Sequence, residues 1–220
     1  MMLHREGEFL VKLARHTFVT LLTQVELDPL PADIPANLRE KHGVFVRIAR
    51  SQGTPWTKDL EILGCFGYPI PMRELVLATI DSTVGCAVRI VALNAFRTDQ
   101  LDNLLFEVSV LTKPELLKVR TGTEYPKRIR LGKDGLFVQV GFASGLILPQ
   151  VSIESNYDER DLLSECCFKA GLPFDSWLTW RDIDVYKFQA EIFRETGTDG
   201  RVIKFDPDTE NIKRQANDGG

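Results

Sequence analysis

The stretch that most constrains the fold runs from Leu60 to Pro69, where an apolar run ends in Gly64, Cys65, Phe66 and Gly67. Glycine has no side chain beyond its Cα, so it permits positive φ and close approach of the backbone to other atoms. The Gly-x-x-Gly spacing therefore predicts a bend packed tightly against another part of the protein. The proline that follows cannot donate to a sheet and ends the strand. We predict that any ligand site of this chain lies here.

The strand pattern of this chain occurs twice. The segment Gly43–Ile48 resembles Gly135–Val140, and each is followed by a turn, a second apolar strand that reaches a proline, a helix and a third strand. We infer a β-β-α-β unit used twice, although two short matches leave coincidence open. This order predicts an α+β fold, with mainly antiparallel sheet, flanking helices and two lobes. A cleft between the lobes, near Gly64–Gly67 and Leu148–Gln150, would carry the proline-terminated strand ends.

Hydrophobic periodicity predicts the other elements. Apolar residues on one side predict an amphipathic helix from Glu6 to Thr23. Further helices are predicted over 72–91 and 158–170, and further strands over 60–66, 104–111 and 185–195. The composition of the last strand also suits a helix.

Composition and charge exclude several classes of protein. The chain has 220 residues, of which 44% are hydrophobic and 26% charged, as in ordinary globular proteins. Its net charge of -4 argues against a general affinity for nucleic acid or anionic membranes. One basic cluster leaves a nucleic-acid-associated factor open as an alternative, although a solvated turn is the simpler interpretation. The cluster comprises Lys127, Arg128, Arg130 and Lys133, near Tyr125.

The N-terminus has no signal-peptide pattern, and charges interrupt the apolar segment over 75–96, so no membrane span is predicted. The four cysteines, Cys65, Cys86, Cys166 and Cys167, show no Cys-x-x-Cys spacing and have no histidine nearby in the sequence. This pattern predicts no metal site and no cofactor. Reduced thiols indicate a cytoplasmic protein.

Several motifs in order identify a family resemblance. The run Ile62–Gly67 is similar to the signature Leu-Arg-Gly-Cys-Ile-Gly of the AMMECR family, named for a human chromosomal region tied to Alport syndrome and elliptocytosis. Further matches are Gly43–Val46, Glu107–Leu111 with Pro114 and Glu115, Asp134–Leu136, Leu148–Val151 with Glu154, and Cys167–Leu172. The resemblance covers residues 5–195 and leaves a polar C-terminal tail over 206–220.

Two departures from the family pattern matter. Leu63 stands where the signature has arginine, and the family's Asp-Pro-Arg-Phe run is replaced around Ile90–Leu93. Both changes exchange polar groups for apolar ones. They argue against an activity that needs those polar groups, but not against the fold.

The resemblance implies a family without a defined biochemical activity. Its microbial members are often encoded near, or fused to, a Memo-like protein and a radical-SAM protein, which implies a shared pathway by association. We therefore expect an accessory domain that binds a protein or a small ligand in the inter-lobe cleft around Cys65. Whether the chain is an enzyme stays open at this point, as does its oligomeric state.

The predicted cleft residues are Gly64, Cys65, Phe66, Gly67, Glu107, Ser109, Gln150 and Glu154. A nucleophilic role for Cys65 is the first alternative, and it needs a base or a cation beside the thiol. A packed, inert thiol is the simpler interpretation, because cysteine is often buried. Glu107 and Glu154 would be paired acids, one from each half, while Ser109 and Gln150 would orient a ligand. No histidine lies in a catalytic motif, so binding ranks above catalysis.

Overall fold

A computed structural model describes residues 2–23, 29–30, 33–50, 60–92, 98–197 and 199–206. Most of the polar C-terminal tail and the replaced position Leu93 lie outside these residues. The fold is α+β, with antiparallel strands and flanking helices, as predicted. The chain forms two compact units. Unit 1 comprises Met1–Lys113 and Glu191–Phe205, and unit 2 comprises Pro114–Ala190 and Asp206–Gly220.

The helices and strands follow in chain order. Unit 1 contains α1 (His4–Thr23), β1 (Gly43–Arg50), β2 (Glu61–Tyr68), α2 (Leu75–Ala92) and β3 (Leu104–Leu111). Unit 2 contains β4 (Glu115–Leu116), β5 (Asp134–Val140), β6 (Ala143–Ile147), α3 (Pro149–Glu154), α4 (Glu159–Lys169) and α5 (Ser176–Thr179). The strand β7 (Asp184–Glu195) belongs to unit 2 as far as Ala190 and to unit 1 from Glu191, and β8 (Val202–Lys204) completes unit 1.

The sheet of unit 1 places β1 between β2 and β3, antiparallel to both. Alternate residues of a strand face opposite sides, so Val44, Val46 and Ile48 face the core beneath α1 and α2. Phe45 and Arg47 face the other side of the sheet. The register between β1 and β2 shifts after Ile48, which marks a bulge in β2.

The helix α2 is apolar around most of its circumference. By length and composition alone it could cross a membrane, but half of it is buried inside the protein, and the core helix of a soluble domain passes the same test. Its inward residues, among them Leu75, Val76 and Ile90, are fully buried in the core of unit 1. The inward side of α2 therefore belongs to the core of unit 1.

Unit 2 repeats the order of pairing seen in unit 1, because β5 lies between β6 and the first part of β7. The helix α4 begins at a capping box in which the Asp158 side chain accepts hydrogen bonds from the Arg160 and Asp161 amides, while Asp161 accepts one from the Asp158 amide. This capping box stabilises the first turn of the helix. The sequence predicted a strand over 185–195 but also allowed a helix there. The structure has the strand β7 at this place. The internal repeat itself stays a prediction.

Candidate functional site

The two glycines of the Gly-x-x-Gly stretch face opposite sides of β2, as a separation of three residues in a strand requires. A Cβ at Gly64 would lie 3.1 Å from the Ile90 side chain of α2. A Cβ at Gly67 would lie 2.1 Å from the Val44 carbonyl oxygen, on the neighbouring strand. Each glycine is therefore needed because another element passes close to it. The side chain of Cys65, which follows Gly64, projects on the face of β2 away from α2.

Cys65 lies at the end of a row of side chains that crosses three strands. Its partner on β1 is Arg47, and the partner of Arg47 on β3 is Glu107. Residues directly opposite each other in antiparallel strands project on the same face, so the three side chains are neighbours. The Arg47 Nη1 atom lies 3.1 Å from Glu107 Oε1, and both side chains are at most 5% exposed. Cys65 is only half-buried.

A second arginine joins this row from β7. Arg194 Nη1 lies 3.8 Å from Glu107 Oε2, and the Arg194 guanidinium carbon lies 4.0 Å from the centre of the Phe205 ring. Two buried guanidinium groups therefore face one buried carboxylate. Buried charges of this kind are stable only when they are paired and hydrogen-bonded. We call Cys65, Arg47, Glu107 and Arg194 the thiol–arginine row.

The remaining predicted site residues divide between the two units. Ser109 is buried on β3 and pairs with Phe45, so it lies on the same face as the thiol–arginine row, one row further along. Gln150 and Glu154 lie on α3 of unit 2, with Gln150 fully buried and Glu154 half-buried. The pairing of Glu107 with Glu154 and the inter-lobe cleft stay predictions.

The four cysteines are all reduced thiols, outside any disulfide, but they differ in access. Burial raises the pKa of Cys86, and the neighbouring Cys65 adds to this effect. Burial likewise raises the pKa of Cys166, and raises that of Cys167 to about 11. The Cys86 Sγ donates a hydrogen bond to the Val46 carbonyl oxygen at 3.2 Å. Three thiols are therefore neutral and enclosed at neutral pH, and Cys65 alone is partly accessible.

We expect iodoacetamide to alkylate Cys65 first in the folded protein. At neutral pH its rate should exceed those of Cys86, Cys166 and Cys167 by about 100-fold or more, because those thiols are buried and un-ionised. Peptide mapping by mass spectrometry at successive times measures the four rates. The variant Cys65→Ser should show almost no labelling until urea unfolds the protein. Comparable labelling of all four cysteines in the folded protein would contradict this expectation.

Sequence reasoning missed the two arginines of the row. The signal for Arg47 was its place in β1 between Val46 and Ile48, which puts its side chain on the face opposite to theirs. Glu107 occupies a similar place between Phe106 and Val108. The pairing of these two charges was not readable, because it depends on the register between β1 and β3.

The two departures from the family pattern lie in unit 1, and the basic cluster lies in unit 2. Leu63 and Ile90 are both buried in the core of unit 1, where apolar side chains are favourable. In unit 2, Arg130 forms a salt bridge of 2.9 Å with Asp134. Burial raises the pKa of Asp134, but hydrogen bonds from Arg130 and Gln189 outweigh burial and hold this pKa below its usual value. One charge of the basic cluster is therefore already paired.

The comparison with known families settles the resemblance. The model of the AMMECR1 family matches residues 11–193. The chain belongs to the AMMECR1 family. Among its relatives, Protein PYRAB00100 of Pyrococcus abyssi is 46% identical over 197 residues, which cover 89% of this chain and 93% of that protein. Protein PF1979 of Pyrococcus furiosus is 45% identical over 197 residues, or 89% of this chain and 91% of its own.

A solved structure of an AMMECR1 relative supports the fold. The crystal structure of the uncharacterized protein PH0010 from Pyrococcus horikoshii superposes with a TM-score of 0.83 and is 42% identical. The match covers 93% of this chain and 98% of that one. The family and the α+β fold predicted from the sequence are both confirmed.

Proposed function

We propose that this AMMECR1-family chain is a binding module, and that the face of unit 1 around Cys65 holds its site. The observation that supports the proposal is the thiol–arginine row, in which a half-buried thiol lies opposite a buried arginine that is paired with Glu107. Buried charges cost stability unless paired, and they contribute little to a fold that apolar side chains could stabilise as well. A binding site that recognises a polar group gives these buried charged side chains a function.

Binding is favoured over catalysis because the carboxylate of the row is already paired with two arginines. His4 and His16 lie on α1, and His42 lies beside Glu40, with 3.7 Å between His42 Nε2 and the Glu40 carboxylate. Glu107 lies two strands away from Cys65, or roughly 10 Å at the usual strand spacing, and two arginines already face it. General-base activation of a thiol requires hydrogen-bond contact with the base.

A thiol enzyme is the second candidate, and Arg47 is the observation that favours it. A cation beside a cysteine favours the thiolate, which is the nucleophilic form. The pH dependence of Cys65 alkylation separates the two functions. A binding site predicts a rate that rises steadily with pH, as for an ordinary thiol. A rate already at its plateau below neutral pH would favour the enzyme.

The partner class follows from the family resemblance, which implies a Memo-like or a radical-SAM protein in a shared pathway. We propose that such a protein, or a small ligand that they have in common, contacts the face around Cys65. Four reduced thiols agree with a reducing, cytoplasmic setting.

We expect a Memo-like or radical-SAM protein from the same genome to bind the wild-type chain in isothermal titration calorimetry. Cys65→Arg should weaken binding by about 30-fold or more, because it places a large cation beside Arg47 at the centre of the interface. Ser144→Arg, which adds the same side chain at an exposed position of β6, is the matched control and should bind normally. Absence of wild-type binding to both proteins, or equal binding by Cys65→Arg, would contradict the proposal.

A further inference from the structure

The two residues on either side of Cys65 in β2 both lie on the face of the sheet that α2 covers. Phe66 pairs with Val46 of β1, and Gly64 pairs with Ile48, and both partners belong to the core beneath the helices. Phe66 is one of the predicted cleft residues, and its half-buried ring packs against this core. The ring of Phe66 is therefore a contact to α2, while the side chain of Cys65 projects from the other face.

Each of these two residues meets a residue of complementary size on α2. A Cβ at Gly85 would lie 2.3 Å from the Phe66 ring, so the ring occupies the place that a side chain at position 85 would need. At Gly64 the sizes are reversed, because a Cβ there would lie 3.1 Å from the Ile90 side chain. The helix leaves room for a strand side chain at one contact, and the strand leaves room for a helix side chain at the other.

The spacing of the two contacts agrees in both elements. Gly85 and Ile90 are five residues apart (90 − 85), which is about 7.5 Å along a helix axis. Gly64 and Phe66 are two residues apart (66 − 64), which is about 7 Å along a strand. The helix and the strand therefore run alongside each other in opposite directions and meet at two points, with Cys65 between them. A shift of β2 at Cys65 would break both contacts.

The glycine at position 85 has no explanation within the helix itself. Glycine in the interior of a helix is less favourable than alanine, and Gly85 lies well inside α2. The Phe66 ring supplies the reason, because it fills the space that a Cβ would take. The same ring contacts the Tyr68 ring edge-on at 5.7 Å, and the Arg89 guanidinium carbon lies 5.7 Å from its centre. These neighbours hold the ring in one position.

We propose that Gly85 is a positioning residue of the site around Cys65, and that it acts through Phe66. The space at Gly85 receives the Phe66 ring, and the ring fixes β2 where Cys65 lies opposite Arg47. This role rests on the proposed function only in that the face around Cys65 is the site. A side chain at position 85 pushes β2 away from α2 and exposes the half-buried thiol.

The rate of Cys65 alkylation by iodoacetamide in the folded protein tests the positioning role. Gly85→Ala should raise this rate by about fivefold or more, because the added Cβ displaces the Phe66 ring and β2 with it. Val76→Ala is the matched control, since it removes part of a fully buried side chain near the other end of α2 and also lowers the urea midpoint. It should change the Cys65 rate by less than about twofold. An unchanged rate in Gly85→Ala, or an equal rise in Val76→Ala, overturns the proposal.

A second variant tests whether Gly85 acts through Phe66. Phe66→Ala removes the ring without adding an atom to α2, so it remains informative where Gly85→Ala does not fold, and it should raise the Cys65 rate by about fivefold or more. In the Phe66→Ala background, Gly85→Ala should raise the rate no further, because the ring that it would meet is gone. Cys166, in the core of unit 2, should stay unlabelled in every variant and reports that the protein is folded. Additive effects of the two changes, or a wild-type rate in Phe66→Ala, overturn the proposal.

Binding of the Memo-like or radical-SAM protein, measured by calorimetry, separates this role from the proposed function. If the face around Cys65 is the binding site, Gly85→Ala should weaken binding by about fivefold or more, while Val76→Ala should bind normally. If the alkylation rates change as expected and binding does not, the positioning role is supported and the proposed function fails. The alkylation rates test the positioning role even when the wild-type chain binds neither protein.

Discussion

The variant Gly67→Ala should lower the free energy of unfolding by about 3 kcal/mol or more. The added Cβ would lie 2.1 Å from the Val44 carbonyl oxygen and 2.6 Å from the Phe45 Cα atom. Both atoms belong to the backbone of β1, which is paired on both sides and cannot move aside at low cost. Chemical denaturation followed by circular dichroism measures the loss.

The matched control is Gly197→Ala, in the turn after β7. A Cβ at Gly197 meets only the Asp199 carboxylate, at 3.5 Å, which is an ordinary contact. This change should alter the free energy of unfolding by less than about 1 kcal/mol in either direction. If Gly67→Ala and Gly197→Ala have the same effect, β2 does not approach β1 as closely as the structure shows.

The variant Glu107→Gln should cost about 3 to 5 kcal/mol of unfolding free energy. The glutamate carboxylate is fully buried and faces the guanidinium groups of Arg47 and Arg194. The amide of glutamine carries no charge, so both guanidinium groups would lose their buried electrostatic interaction with the Glu107 carboxylate. The same denaturation measurement, at low salt and neutral pH, gives the magnitude.

A surface ion pair provides the comparison for Glu107. Glu61 forms a salt bridge of 2.7 Å with Arg50, but the Glu61 side chain is 46% exposed. Water screens exposed pairs, so Glu61→Gln should cost no more than about 1 kcal/mol. A small effect of Glu107→Gln, similar to that of Glu61→Gln, would show that the thiol–arginine row is not electrostatically coupled.

The elements that could be predicted from the sequence are those with local signals. The apolar alternation of β1 and β3 and the helical pattern of α4 are carried by neighbouring residues, so these elements were predicted within a few positions of their ends. The helix predicted from Glu6 begins at His4, which is within the usual uncertainty of helix ends. The family motifs added the order of these elements along the chain.

The sequence predicted only some residues of the candidate site and not which of them are neighbours. Strand register and β-bulges depend on how two strands pair, and a single stretch of sequence does not contain that information. Cys65, Glu107 and Ser109 were predicted individually, but the bulge in β2 and the pairing of Arg47 with both neighbours decide which of them meet. Arg194 is 87 positions beyond Glu107 in the chain (194 − 107), and no local pattern connects the two. Such long-range contacts follow from topology.

The path of the chain through the two units has a consequence for its synthesis. The segment Pro114–Ala190 of unit 2 is inserted within unit 1, because unit 1 needs both Met1–Lys113 and the returning segment Glu191–Phe205. That segment supplies Phe193, a core residue, and Arg194. A ribosome makes the chain from its N-terminus, so it synthesises Pro114–Ala190 before the returning segment. The nascent Met1–Lys113 segment therefore cannot complete its sheet until Glu191–Phe205 has been synthesised.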